Sequence, residues 1–333
     1  MLALYLETEM KLNYVKINSI FEKVDNLYNT GLTKGLYCGF NNLFEHYSPK
    51  MGATTFVFGH PFSGKSELIL DILVFLSETK GFKHVIYTPE TGKPEEIALE
   101  LISKAANEPV YQTMFNQKMN DEKYFRYRDW VAEHFFIIDP EEDAVTLDQF
   151  YQTVELIEKE NDCKIHTTLS DPFNELKHEM ENNRQDIYLE GQFGAVLRNA
   201  KKYNRHNFLI THTSRQDYKT GQLEGGGEIR YYPVPTPHEV SGGLAWHRKA
   251  MNLLAVWRPP AGLIEDGEVY QPNEAHVIIH KFKPKGTGKK GVVKLFYDAV
   301  KNRYYEIEHG QKRYAGKQPE PQKYQPIQPS YDF

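Results

Sequence analysis

Only two of the 333 residues are cysteine, Cys38 and Cys163, and neither has the spacing of a metal site. That scarcity excludes a disulfide framework and points to a reducing compartment. Positive charge is not in excess either: 40 Lys and Arg stand against 45 Asp and Glu, a formal net charge of −5. No global field draws the chain to a polyanion, so any such binding must be local. No apolar run reaches the roughly 18 residues that a membrane span needs. The opening MLALYLETEMKLNY is interrupted by Glu7 and Glu9 and lacks the basic lead of a signal peptide. A soluble intracellular protein with no membrane partner is expected. What is present, 40% hydrophobic residues, suffices for one large domain or two small ones.

Residues 14–29 carry Val15, Ile17, Ile20, Phe21, Val24 and Leu27 close to helical spacing. This helix has no core of its own, so it is expected to pack on the body of the domain or on a neighbouring subunit. From Gly52 to about Glu308 strands and helices alternate. Strands are read at 53–59, 83–90, 135–139, 164–171, 207–213 and 251–259, and helices at 63–80, 93–107, 146–160 and around 188–203. The alternation predicts an α/β fold with a mainly parallel twisted sheet flanked by helices. Strands 275–282 and 291–298 are expected to close it as a C-terminal antiparallel edge hairpin. Residues 216–243, rich in Gly and Pro, read as a functional loop. The division is 1–32 as helix and linker, 33–308 as the main domain, and 309–333, biased to Pro, Gln and Tyr, as a disordered tail.

The segment GHPFSGKS matches G-x-x-x-x-G-K-[ST] in full: Gly59, His60, Pro61, Phe62, Ser63, Gly64, Lys65, Ser66. Chance supplies such a match in about one chain in a hundred of this length. Here it also leaves a strand and opens a helix, which is where backbone N–H groups and a helix N-terminus make an anion nest. Lys65 would reach the β- and γ-phosphates of ATP, and Ser66 would place its hydroxyl on Mg²⁺. Such a site also needs a carboxylate on a neighbouring strand for the metal and a base to orient the attacking water. Glu90, Asp139 and Asp171 compete. Glu90, in YTPE, suits the water. For the metal, HFFIID gives Asp139 the greasier approach, while Thr167, Thr168 and Ser170 make the approach to Asp171 polar. Ile165, Thr167 and Leu169 still alternate onto one face, so composition leaves the two open.

The order of motifs resembles the RecA-like motor domain of DnaB/Twinkle-type ring helicases, from about Gly31 to Glu308. GLTKGLYCGFNNLFEHYSPKMGATTFVFGHPFSGKSE is similar to that family's glycine turn and Walker A motif, and IYTPE to its second motif, with Glu90 in the place of the catalytic glutamate. SDPFNEL resembles the Walker B motif in its DPxN form, which favours Asp171 for the metal. NFLITHTSRQ is similar to the third motif, whose γ-phosphate-sensing position holds His212. HEVSGGLAWHRKAMNLLAVWRPP resembles the fourth, whose glycine pair, here Gly242 and Gly243, supports DNA-binding loops. IIHKFKPKGTGKKGVVKLFYD is similar to the closing hairpin, where a K-x-R pair acts on the neighbouring subunit's nucleotide. Lys281 and Lys283 stand there, and lysine lacks the planar fork of arginine.

The resemblance implies a RecA-like ATPase at 33–308: a replicative DNA helicase motor using ATP and Mg²⁺, working as a homo-oligomer, a six-membered ring. It would travel 5′→3′ on single-stranded or forked DNA, in the cytoplasm of a bacterial cell or phage-infected host. A primase or loader is expected in trans, because only about thirty residues precede the motor. Arg215, Lys219 and Arg230 in the long loop are the candidate DNA contacts, through salt-sensitive binding to phosphate. Two other readings share these motifs: a RecA-like recombination or repair ATPase that coats DNA as a filament, and a nucleotide-binding subunit that does not unwind.

Overall fold

The apolar path of residues 17–27 does form a helix: a 3-10 turn at Ile17–Ile20 runs into α1 (Phe21–Thr30). No residue of α1 is buried. The computed structural model describes residues 14–31, 34–90, 92–114, 116–139, 144–180, 184–214, 218–283 and 288–316. Within these, α1 gains no cover from the body of the domain.

After α2 (Asn41–His46), the run TTFVFG becomes β1 (Thr54–Gly59), buried at every position. Continuous β-branched and aromatic residues suit a strand covered on both faces. The chain then alternates: α3 (Lys65–Lys80), β2 (His84–Tyr87), α4 (Pro94–Ala106), α5 (Asp121–His134), β3 (Phe135–Ile137), α6 (Leu147–Glu160), β4 (Thr167–Ser170), α7 (Gln185–Tyr203) and β5 (His206–His212). There follow β6 (Lys219–Leu223), β7 (Glu228–Tyr231), α8 (Gly243–Lys249), β8 (Asn252–Trp257), β9 (Leu263–Glu265) and β10 (Glu268–Val269). The last strands are β11 (Glu274–Lys281), β12 (Gly291–Asp298), β13 (Arg303–Glu308) and β14 (Gln311–Tyr314).

Ten strands make one sheet among the described residues, in the order β14-β13-β12-β11-β8-β1-β5-β4-β2-β3. The part from β8 to β3 is parallel and the part beyond β8 antiparallel. Period-two alternation splits the core between its faces. Val57, Phe208, Ile210, Leu254 and Val256 pack with α3 and α4, while Phe56, Phe58, Leu209, Leu253 and Ala255 pack with α6, α7 and α8. Trp246 and Trp257 are both buried, as core residues should be.

The polar approach to Asp171 has a direct explanation. Every residue of β4 is buried, and its hydroxyls find partners on neighbouring strands. Thr167 Oγ1 lies 2.6 Å from His84 Nδ1, and Thr168 donates to Asn207 Oδ1 at 2.9 Å. A hydrogen-bonded threonine costs little in a core. Ile165 does not share a face with Leu169: it lies before the strand begins and packs on the opposite core.

Three expectations need correction. The strands at 274–298 are antiparallel, but they are not the edge, because β13 and β14 continue the sheet outside them. The start of the tail is not disordered: Gln311–Tyr314 pairs with β13, and Arg313 bonds Glu306, Glu308 and the Tyr37 hydroxyl. Residues 317–333 of that tail, like residues 1–13 of the leading segment, lie outside the described residues. The stretch 216–243 is not simply a loop. Its described part builds the β6–β7 hairpin, which joins β9 and β10 in a second sheet ordered β10-β9-β6-β7.

Candidate nucleotide site

β1 ends at Gly59 and α3 begins at Lys65, so GHPFSGKS turns between them at the carboxyl end of the central strand. Gly64 has φ +85°, and a Cβ there would stand 2.1 Å from the Tyr304 hydroxyl. Tyr304, buried on β13, donates that hydroxyl to the Gly64 carbonyl at 3.1 Å. Glycine alone meets both demands. Phe62 is 96% exposed at the tip of the turn, while His60 and Ser63 are buried.

Lys65 is buried, and its Nζ donates to the His60 carbonyl at 2.9 Å. Burial lowers its pKa to about 8, opposed by the charges of Asp171 and Glu90. Asp171 follows directly on β4 and is also buried. Burial pushes its carboxyl up, while a hydrogen bond from Ser66 and the Lys65 charge pull it down. Its Oδ2 has no partner. A leftover buried carboxylate oxygen beside a serine hydroxyl fits Mg²⁺, which takes one or two carboxylates and fills its shell with phosphate and water. The described residues hold no cluster of three or more His, Cys, Asp or Glu suited to a metal, so an all-protein cage is not what they offer.

Glu90 lies just beyond β2 and accepts a hydrogen bond from His212 Nε2 at 3.1 Å. His212 ends β5, in register with Gly59 of β1. With Nε2 donating to the carboxylate, its buried Nδ1 has no partner. Pro61, Phe62, Gly64, Lys65, Ser66, Glu67, Glu90, Asp171 and His212 line a single cleft of about 710 Å³. That is room for a ligand of nucleotide size.

Asp139 is elsewhere. It follows β3 at the end of the sheet order, beyond β4 and β2, and lines a different hollow with Thr88 and Lys93. Asp171 shares the cleft with Lys65; Asp139 does not. Sequence reasoning missed Arg258 and Tyr297, which line the same cleft with the guanidinium 5.4 Å from the ring centroid. An arginine at the end of the strand in AVWRPP was the available signal for the first. Tyr297 and Tyr304 come from β12 and β13, more than 200 residues along the chain, and left none.

The other candidates are scattered. Lys281 Nζ donates to the Arg248 carbonyl at 3.1 Å and also to that of His247, capping α8. Lys283 is exposed, and its backbone N–H reaches Asn252 at the start of β8. Both lysines therefore stand at the opposite end of the strands from the phosphate turn of their own chain. Lys219 and Arg230 are exposed on the β6–β7 hairpin, and Arg215 lies outside the described residues. Gly242, with φ +76°, packs so closely on α7 that a Cβ would meet Leu189 Cδ1 at 2.2 Å, and Gly243 faces the Pro237 carbonyl. Close packing is reason enough for the pair.

No protein-family model matches the chain. It is 24% identical over 300 residues to a Twinkle homologue of Arabidopsis thaliana described as chloroplastic/mitochondrial, a match covering 88% of this chain. The chain spans about 40% of that relative's length. Among solved structures, an ATPase domain solved by itself superposes with a TM-score of 0.68 at 16% identity, covering 89% of this chain and all of the other. A DnaB-like replicative helicase, solved to describe its interactions with primase, gives 0.66 at 16% identity over 87% of this chain and 68% of its own. Sequence and fold agree that the chain is DnaB/Twinkle-like, with the architecture of the RecA-like ATPase domains of those helicases.

Proposed function

We propose that the chain is the ATP-driven motor of a replicative DNA helicase, moving along single-stranded DNA and parting the duplex ahead. The observation that carries this reading is the convergence of Lys65, Ser66, Asp171, Glu90 and His212 in one cleft on a RecA-like sheet. The turn Gly59–Ser66 cradles the phosphates with its backbone N–H groups. Ser66 and the free oxygen of Asp171 would hold Mg²⁺, which when bound neutralises phosphate charge and aligns the γ-phosphoryl group. Glu90 orients a water and takes its proton as the water oxygen bonds to the γ-phosphorus and the bridging oxygen leaves with ADP. Lys65 leaves the His60 carbonyl for the departing charge. His212 already holds Glu90, so the γ-phosphate and the base meet at one side chain.

A closed ring accounts for two features that a lone subunit leaves idle. The apolar residues Phe21, Val24 and Leu27 of α1 are exposed, and Lys283 projects from the strand ends remote from its own cleft. We place both at a contact with a neighbouring copy, with Lys283 and, less directly, Lys281 facing the neighbour's nucleotide. DNA would bind at Lys219, Arg215 and Arg230, travel would be 5′→3′, and a primase would be a partner in trans. The DNA worked on would be that of the cytoplasm of a bacterial cell or phage-infected host. No described helix is long and apolar enough to cross a membrane.

A forked DNA substrate tests the reading. The wild-type chain with ATP and Mg²⁺ is expected to release the labelled strand, and Lys65→Ala is expected to release none. ATP hydrolysis by the wild type with no strand release would leave a filament-forming or non-unwinding ATPase instead.

A further inference from the structure

His60 belongs to the phosphate turn, yet its side chain faces away from the cleft and is committed elsewhere. Nε2 lies 3.0 Å from the Pro233 carbonyl and Nδ1 lies 2.9 Å from Thr213 Oγ1. A carbonyl only accepts, so Nε2 carries the proton and, in the neutral ring, Nδ1 accepts from the Thr213 hydroxyl. The ring also stacks on Tyr232 at 4.5 Å and 19°. Tyr232 stacks in turn on Tyr218 at 4.3 Å and 28°, and Arg230 lies 4.9 Å from the Tyr218 centroid. Two rings stacked that closely on Tyr232 must occupy its opposite faces. The result is an unbroken column, His60–Tyr232–Tyr218–Arg230, from the phosphate turn to both ends of the β6–β7 hairpin.

Both ends of the column meet parts that change with nucleotide. The His60 carbonyl holds the Lys65 ammonium, which must give up that bond to reach a phosphate. Thr213 directly follows His212, the partner of Glu90. At the far end the second sheet has a thin core of its own, with Tyr231, Trp257 and Leu263 its buried members. A small sheet with few buried contacts is easily repositioned, so the column sets where the hairpin stands.

We propose that this column transmits the occupancy of the phosphate turn to the β6–β7 hairpin, with His60 and Tyr232 as positioning residues. The proposal rests on the reading of the turn as a nucleotide site and deepens it: the hairpin, whose outer face bears Lys219 and Thr220, becomes the element through which nucleotide and an external polyanion sense each other. Coupling of this kind is reciprocal, so a ligand on the hairpin alters nucleotide affinity by the same factor.

The test uses the full chain with Cys163→Ser and Gln222→Cys, carrying an environment-sensitive dye on the exposed hairpin. Binding of a fluorescent ATP analogue is followed separately, with Mg²⁺ present. In this parent, saturating non-hydrolysable ATP is expected to shift the dye signal. Tyr232→Leu is expected to bind the analogue with its affinity changed less than the dye response, which falls at least about fivefold. Tyr232→Phe, which keeps the ring and loses the hydroxyl, is expected to retain the response. An unaltered response in Tyr232→Leu, or a lost one in Tyr232→Phe, overturns the column as the carrier. A parent that binds analogue with a silent hairpin overturns the proposal while sparing the nucleotide site; a parent that binds no analogue overturns the site itself and the proposal with it.

Discussion

Glu90→Gln is expected to bind ATP as tightly as the wild type and to turn it over roughly 10²- to 10⁴-fold more slowly. The amide keeps the size of the side chain and can still accept from His212, so the cleft stays formed. What is lost is the charge that receives the proton of the attacking water. Steady-state phosphate release, with and without single-stranded DNA, measures the first part; equilibrium binding of a fluorescent nucleotide measures the second. Asp139→Asn is the matched control. It changes the same chemistry on a strand outside the cleft, and its turnover is expected to stay within about threefold of wild type, as for surface substitutions remote from a site. Equal losses in the two variants would remove the basis for assigning roles from the shared cleft.

Arg303→Met is expected to cost about 3–5 kcal/mol of stability, the usual price of leaving a buried charge without its partner. Asp71 sits in the middle of α3 and is completely buried. Arg303 Nε donates to its Oδ1 at 2.9 Å and the Tyr304 backbone N–H to its Oδ2 at 2.6 Å. Arg303 also donates to the Lys104 carbonyl at 3.1 Å, so one guanidinium ties α3, α4 and β13 together. Remove it and Asp71 keeps one backbone donor and loses its counter-charge. Urea unfolding gives the size of the loss. The double variant Asp71→Leu with Arg303→Met is expected to recover much of it, because an apolar pair of similar volume carries no desolvation cost. No recovery would mean that the pair acts through packing. Because Tyr304 touches Gly64, the same pair holds β13 against the phosphate turn, and nucleotide affinity is expected to fall along with stability in the single variant.

The parts of the site legible in the sequence were those made by local chain. A strand, a glycine turn and a helix follow one another over Thr54–Lys80, so the phosphate cradle could be read from its own residues. The choice between Asp139 and Asp171 could not, because it depends on strand order. Thr167 and Thr168 look out of place until His84 and Asn207 stand beside them, and those partners are 83 and 39 residues away. The second sheet was hidden for a different reason. Lys219–Leu223 and Glu228–Tyr231 are short, and the EGGGE between them reads as loop before it reads as a turn. The edge strand Gln311–Tyr314 has charged residues and no aliphatic one, a composition that protects an exposed edge and disguises it as tail. Asp71 and Arg303 were invisible for the plainest reason: nothing at either position reveals a partner 232 residues off.

The central claim is that Ser66 and Asp171 share one divalent cation with a triphosphate lying on the Gly59–Ser66 turn. Crystals grown with a non-hydrolysable ATP analogue and Mn²⁺ in place of Mg²⁺ locate that cation by its anomalous scattering. A peak about 2.0–2.2 Å from Ser66 Oγ, with the Asp171 carboxylate bound directly or through one water, is the predicted result. A peak on Asp139, or phosphates seated away from Lys65, would contradict it.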